Sequence, residues 1–551
     1  MKRYIKYSVF AAVLAFGLTA CVQNLDVEPK DTNKVLDFNQ DAIFTKCYAT
    51  LALTGQQGPA GSGDVDGIDE GTSAFVRMVW ELQEFPTDEC WVPWNDPGLP
   101  EIRTIQWNSL NQLVQGLYYR FYFNISLCNH FLENAKADTE DHIAQIAEVR
   151  FLRALNYAYL LDMFGNVPFT EKVNADKKPQ YSRTQLFEWL ENELKELDAA
   201  LPESRKSDFR VDRYAAKMLL ARIYLNAEVY TGTARWTDAA TYAKQVMDGP
   251  HKLHTQSRGG VYSPYQELFM GDNYRVAGGN DGEGLLIIYQ DGIQAQCWGG
   301  STFLVAACRD KNVYVNPATS EGWAGYRSSP QFIEKWVDLA STPSILKNEF
   351  DMPALLGDDR AILCSVLNTD LPVVEADSTA AQPLLPRGEM GGFYDSWSVL
   401  KWTGRYIENP LGEDITISPH GPQFPDTDVP FMRSAEAYLT YAEAQFRLGD
   451  AGSAKEAIQA LRDRAHNTQA FEVSEQFLLD EWSREFYCEG RRRMDLVRFG
   501  QFAGPTANYH WEGRGGKKTS EGFSALDAKF NLYPIPETDI TAGDLKQNEG
   551  Y

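Results

Sequence analysis

The chain has 551 residues, a formal net charge of −24 and 13% aromatic residues. That length can bury a large core, and the negative balance repels phosphate, which excludes nucleic acid and anionic lipid headgroups as main partners. Past residue 21 no apolar run is long enough to cross a bilayer, so the body beyond the N-terminal signal is expected to be soluble.

The first 21 residues read MKRYIKYSVFAAVLAFGLTAC. Lys2, Arg3 and Lys6 form a positive head, followed by an apolar run from Val9 to Leu18. The run is too short to span a hydrocarbon core of about 30 Å. The pattern is that of a secretory signal, and Leu18-Thr19-Ala20-Cys21 resembles a bacterial lipobox. Residues 1–20 are therefore expected to be removed and Cys21 to carry lipid. Residues 21–34 then form a short polar tether, holding a soluble body to a membrane surface.

Residues 35–250 read as helical. Apolar residues recur at three- and four-residue steps from Trp107 to Asn134 (Leu110, Leu113, Leu117, Phe121, Ile125, Cys128, Phe131) and from Glu148 to Phe164. Gly165 and Pro168 end the second of these. Helices over 184–201, 213–230 and 236–247 follow. Residues 214–247 and 435–465 resemble each other, each a small-residue helix, a turn and a second alanine-rich helix. Ala442 and Ala454 stand at the spacing of key alanines in a tetratricopeptide repeat. Residues 251–430 are rich in Gly, Pro, Asp and aromatics, with a strand expected at 284–290 and a short helix at 331–339. Residues 431–551 return to helical patterning.

The seven cysteines beyond Cys21 (47, 90, 128, 297, 308, 364 and 488) show no zinc spacing, and a disulfide such as Cys297 with Cys308 is left open by the sequence. His251 and His254 lack further ligands and read as surface. Asp64-Val-Asp-Gly-Ile-Asp69-Glu70 reads as a solvated acidic loop, since it lacks the order of an EF-hand. No metal and no cofactor are expected.

Four blocks carry a family resemblance. They are Ala147-Glu-Val-Arg-Phe-Leu-Arg153 running to Phe164-Gly-Asn-Val-Pro168; Tyr214 to Leu225; Pro430-Phe-Met-Arg-Ser-Ala-Glu436 with Tyr441-Ala-Glu-Ala444; and Glu481-Trp-Ser-Arg-Glu-Phe-Tyr-Cys-Glu-Gly490 with Arg491 to Arg498, followed by Leu532-Tyr-Pro-Ile-Pro536. In this order, behind a lipobox, they resemble the SusD/RagB family of surface nutrient-binding lipoproteins. The resemblance implies a mainly α SusD-like fold, with tetratricopeptide-like helical repeats packed against an irregular loop-rich subdomain. It also implies a non-catalytic receptor on the outer face of the outer membrane. Such a receptor captures an oligosaccharide or polysaccharide and delivers it to a SusC-like TonB-dependent transporter. The alternatives are a lipid-anchored glycoside hydrolase and a RagB-like receptor for peptides or glycoproteins. Arg484, Glu485, Glu489, Arg492, Asp495 and Arg498 read as a paired scaffold network around a turn at Gly490, with a catalytic role for Glu485 and Glu489 as the competing reading.

Candidate ligand residues lie in loops. Trp91 and Trp94 sit among Pro86, Pro93, Pro97 and Pro100, with Asp88 and Asn95 beside them. Proline stiffens such a loop; an indole face suits the C–H face of a pyranose, and carboxylate and amide groups suit its hydroxyls. Trp298 and Trp323, each flanked by glycine, form a second set. Trp397 and Trp402 read as core, at the ends of a probable strand.

Overall fold

The computed structural model of the protein describes residues 38–551 apart from 175, 310–318, 320, 339–345, 366–391, 394, 409–422, 506, 508–517, 520–521 and 524–525. The signal, Cys21 and the tether lie outside the described residues.

Two helices, α1 (Gln40–Ala52) and α2 (Phe75–Glu84), open the fold, followed by the short α3 (Leu99–Arg103). Then come α4 (Gln112–Asn134), α5 (Glu140–Met163), α6 (Arg183–Ala200), α7 (Arg213–Leu225) and α8 (Trp236–Asp248). Side-chain caps set several starts. Asn111 accepts the backbone N–H groups of Leu113 and Val114, so α4 begins at Gln112 and leaves Leu110 outside the helix, 69% exposed. Thr139 caps α5 from His142 N, so that helix begins at Glu140, earlier than its apolar stripe indicates, because its first turn is acidic. Ser182 and Gln185 close a capping box on α6. Gly165, at φ +75°, ends the α5 segment as expected.

A short helix α9 (Ser301–Ala307) lies in the middle region. The C-terminal part supplies α10 (Ala435–Arg447), α11 (Ala451–Arg464), α12 (Glu475–Phe486) and α13 (Arg492–Arg498). Packing runs α4–α5–α6–α7–α8–α10–α11, each helix against the next. The helical repeats are thus one continuous array, and the loop-rich middle region is inserted between α8 and α10. Alanines at the α8, α10 and α11 contacts (Ala239, Ala243, Ala442, Ala454) are 0% exposed and let the helices close together.

The middle region is fastened to the array by strand pairing and by charge. Of the strands, β1 is Cys90–Trp91, β2 Gly284–Ile288, β3 Arg327–Ser328 and β4 Val429–Arg433. β2 pairs antiparallel with β4, from Gly284 opposite Arg433 to Ile288 opposite Val429. Glu283, which precedes β2, accepts from Arg433 at 3.0 Å and from Arg464 at 3.2 Å. Arg433 also donates to Glu485 at 2.7 Å, and Arg360 joins Glu481 at 2.8 Å and Glu485 at 3.3 Å. Every one of these side chains is buried. Burial alone would raise the Glu485 carboxyl, but Arg464, Arg433 and Arg360 outweigh it and pull it down to about 2. A buried carboxylate saturated by arginines is scaffold, which removes Glu485 from any catalytic reading.

Gly490 turns the chain between α12 and α13 at φ +73°, and its N–H donates to Glu84 at 2.7 Å. Asp495 pairs with Arg491 and Arg498 as the spacing predicts, whereas Arg492 reaches away to Asp88. The histidine expectation is corrected. His251 is 1% exposed and meets Asp212 at 2.7 Å, and His254 meets the buried Glu267 at 2.6 Å. Their carboxylate partners are distant in sequence, so the short His-x-x-His motif gave no sign of them. Cys297 and Cys308 are unpaired, and Cys308 lies instead beside Cys488, Sγ to Sγ 3.8 Å. The expected 331–339 helix shortens to Pro330–Glu334. Trp397 and Trp402 are core, as expected.

Candidate ligand-binding site

β1 pairs antiparallel with β3, Trp91 opposite Arg327. This pairing sets the loop after β1 alongside residues 321–326. The latter are tied to the end of α9: Trp323 N donates to Ala306 O and Tyr326 N to Ala307 O, both at 2.8 Å. Trp94 then lies against Gly325, where any Cβ would come within 2.2 Å of the indole. Its Nε1 donates to the Trp323 carbonyl at 3.0 Å.

From there the rings continue. The Trp94 and Trp323 centroids are 6.4 Å apart, Trp323 and Trp298 6.2 Å, and Trp298 and Phe424 4.9 Å. Successive planes are tilted by 59°, 45° and 51°. All four rings are half-buried. Four separate loops therefore build one continuous arc of mutually tilted, half-buried rings. Trp298 reaches it because Gly71 lets its own backbone approach; a Cβ there would sit 2.5 Å from Trp298 Cβ.

Polar groups line the arc. Arg77 of α2 rests with its guanidinium 4.8 Å from the Phe303 centroid and 5.9 Å from that of Trp94, its Nε held by Glu81 at 2.8 Å. Among the described residues its Nη groups have no hydrogen-bond acceptor. Asn95 is exposed, and its Oδ1 accepts from Arg103 at 3.0 Å. Trp323 Nε1 donates to Glu321 at 2.9 Å. The arrangement offers apolar faces and fixed N–H donors, which suits capture of a neutral polyol with apolar C–H faces.

Of the residues singled out from sequence, Trp94, Trp298 and Trp323 come together, and Asn95 follows Trp94 in the chain with its Oδ1 held by Arg103. Trp91 lies in β1 beneath the Arg103 guanidinium, 5.3 Å from its ring, and joins none of the four rings. Asp88 is half-buried and gripped by Arg492 through both oxygens at 2.7 Å and by Lys335 at 2.9 Å. Burial works against its charge, but the two cations hold the carboxyl far below the usual carboxylate range. Three of its acceptor positions are thus taken by the scaffold. The sequence reading did not single out Phe424, Arg77 or Arg103. Phe424 had a usable signal, since Pro422-Gln-Phe-Pro425-Asp426 repeats the proline-braced aromatic composition around Trp94. A separate cavity of about 510 Å³, lined by Tyr118, Tyr122, Thr170, Lys177, Asp539 and Leu545 among others, shares no residue with the arc.

A helical-repeat scaffold with a loop-rich region inserted between its repeats defines the class by fold, and known proteins share it. The profile described as "SusD family" matches residues 402–551, and that described as "Starch-binding associating with outer membrane" matches residues 25–225. The starch-binding protein SusD of Bacteroides thetaiotaomicron is 36% identical over 582 aligned positions, covering 100% of this chain and 99% of the relative. A SusD homolog from the same species superimposes with a TM-score of 0.65 at 18% identity, covering 93% of this chain and 96% of the other. Surface glycan-binding protein A of B. thetaiotaomicron, solved with laminarihexaose, gives 0.62 at 18% identity over 92% and 98%. The chain belongs to the SusD family, and its mainly helical fold is that of its structural relatives.

Proposed function

We propose that this protein is a non-catalytic glycan-binding lipoprotein of the outer-membrane surface. It captures an oligosaccharide or polysaccharide on the arc and delivers it to a SusC-like TonB-dependent transporter. The observation that carries this reading is the continuous run of four half-buried rings, Trp94, Trp323, Trp298 and Phe424, drawn from four loops. Fully buried aromatics would be core. A contiguous half-open row with N–H donors at its edge is a stacking platform for sugar rings.

An α-glucan is the first ligand to test. The 36% identical relative is named for starch binding. Neighbouring ring planes are tilted by 59°, 45° and 51°, so a glucan stacked on successive rings must turn between them, which suits one that coils better than one that runs flat. Lipid on Cys21 supplies the membrane attachment, and no described helix is long and apolar enough to cross a membrane. Binding and hand-over need no bond chemistry, and the buried Glu485 is unsuited to any. The test is affinity electrophoresis and calorimetric titration with soluble starch, maltoheptaose, laminarin and a flat β-1,4-glucan. Retardation and heat with the α-glucans, without new reducing ends, support the reading. New reducing ends abolished by one carboxylate substitution would place the protein among hydrolases.

A further inference from the structure

The loop from Val92 to Gly98 joins β1 to α3 without regular structure, yet Trp94 within it is placed to fit against Gly325. One side chain ties together most of the backbone ahead of Trp94 and Asn95. Arg103, the last residue of α3, donates through Nη1 to the carbonyls of Val92 at 2.9 Å and Trp94 at 2.8 Å. Through Nη2 it donates to Asn95 Oδ1 at 3.0 Å, and its guanidinium lies 5.3 Å from the centroid of the Trp91 ring. One planar fork thus holds three acceptors within four consecutive residues, which a flexible ammonium cannot reproduce.

A guanidinium carries donors only, so the Asn95 atom facing it must be the amide oxygen. The NH2 group is then turned away from Arg103 on an exposed side chain, and among the described residues it has no acceptor. An amide free to flip would offer a ligand oxygen or nitrogen equally. The clamp removes that choice.

We propose that Arg103 is a positioning residue of the glycan site: it fixes the Trp94 loop and orients the Asn95 amide so that an N–H donor faces the ligand. This rests on the glycan-binding reading above. The Arg77 Nη groups beside the Trp94 and Phe303 rings, and Asn95 Nδ2 next along the chain from Trp94, are then donors with no acceptor among the described residues. The matching ligand supplies oxygen lone pairs along the edge of an apolar C–H face, as neutral sugar hydroxyls do.

The test uses the full-length protein, maltoheptaose as probe and thermal melts of every variant. Asn95→Asp keeps the bond to Arg103, now charge-assisted, and removes the NH2. It is expected to leave the melting temperature unchanged or higher and to weaken binding at least fivefold. Arg103→Lys is expected to weaken binding about tenfold in the wild-type background and by a smaller factor in a Trp94→Ala background, where only the orientation of the Asn95 amide is left to lose. Wild-type affinity in Asn95→Asp, or an equal loss from Arg103→Lys in both backgrounds, would overturn the proposal. A ligand-free readout separates this from failure of the glycan reading. Arg103→Lys should increase acrylamide quenching of tryptophan emission, and the increase should shrink when Trp94 is replaced by Phe, leaving the share of Trp91, which the guanidinium also covers. If the wild type binds no glucan but the quenching result holds, the ligand assignment fails and the clamp stands. An unchanged quenching profile overturns the clamp whatever the protein binds.

Discussion

The indole of Trp94 donates to the backbone carbonyl of Trp323 at 3.0 Å, joining two residues 229 positions apart in the chain. That bond fixes the first two rings of the arc relative to each other and leaves each ring half-open. The arc is also sensitive to Gly325, which packs against the Trp94 indole.

Gly325→Ala is expected to spoil the arc without spoiling the fold. The new Cβ would lie 2.2 Å from the Trp94 ring, and the backbone there lies outside the left-handed region, so the clash falls on the indole. Overpacking of this kind costs about 1–3 kcal/mol. In a chain of this size that lowers the melting temperature by a few degrees at most. Glucan affinity should fall about tenfold, or ~1.4 kcal/mol. Titration alongside a thermal melt checks it; wild-type affinity would mean the Trp94 ring is not part of the binding surface.

Asp88→Asn should do the reverse. Asp88 joins Arg492 and Lys335 in a partly buried network, and losing its charge should cost about 1.5–3 kcal/mol, the scale of a hydrogen bond to a charged group. The folded carboxyl titrates well below its unfolded value near 4, so its contribution is present above about pH 4. It is lost progressively as the pH falls below that toward the folded value. The variant should be less stable at pH 7, with the gap to wild type closing on acidification, and its glucan affinity at neutral pH and low temperature should be unchanged. Urea titrations at pH 7 and pH 3 measure the gap; an affinity loss with intact stability would return Asp88 to the ligand site.

Cys21→Ala should release the protein from membranes while the purified body melts as wild type does. The lipobox is the one anchor signal that the sequence reading identified. Retention in the membrane pellet after a high-salt wash would contradict lipid attachment at Cys21.

Trp402→Ala should separate core from platform. Trp402 is 1% exposed, and its Nε1 donates to Cys488 O at 2.9 Å. Its loss is expected to cost about 3–5 kcal/mol of stability, read in urea, while the fraction that stays folded binds glucan with wild-type affinity.

The fold was legible where periodicity and capping are local. The helices at 112–134, 183–200, 213–225 and 435–447 follow their apolar stripes, and Gly165 and Gly490 take the positive φ that their turns need. That α8 packs on α10, across the inserted region, is a long-range fact with no local signature. At the site, loop composition identified Trp94, Trp298 and Trp323 but could not show that their loops meet. Asp88 looked like a ligand carboxylate because its partner Arg492 lies 404 positions away. Arg77 and Arg103 sit on helices, where a charge reads as solvated surface, so the contact of Arg77 with the Trp94 and Phe303 rings and the hold of Arg103 on the Trp94 loop left no trace in composition.

The central claim is that the four-ring arc binds glycan, and Trp323 is the ring that touches both Trp94 and Trp298. The most direct measurement is calorimetric titration of Trp323→Ala with maltoheptaose beside a thermal melt. The account predicts a loss of about 2 kcal/mol or more, as for a binding hot spot, which is roughly thirtyfold in affinity, with a melting temperature within a few degrees of wild type. Wild-type affinity in this variant would contradict it, and the ligand surface would then have to lie away from the arc.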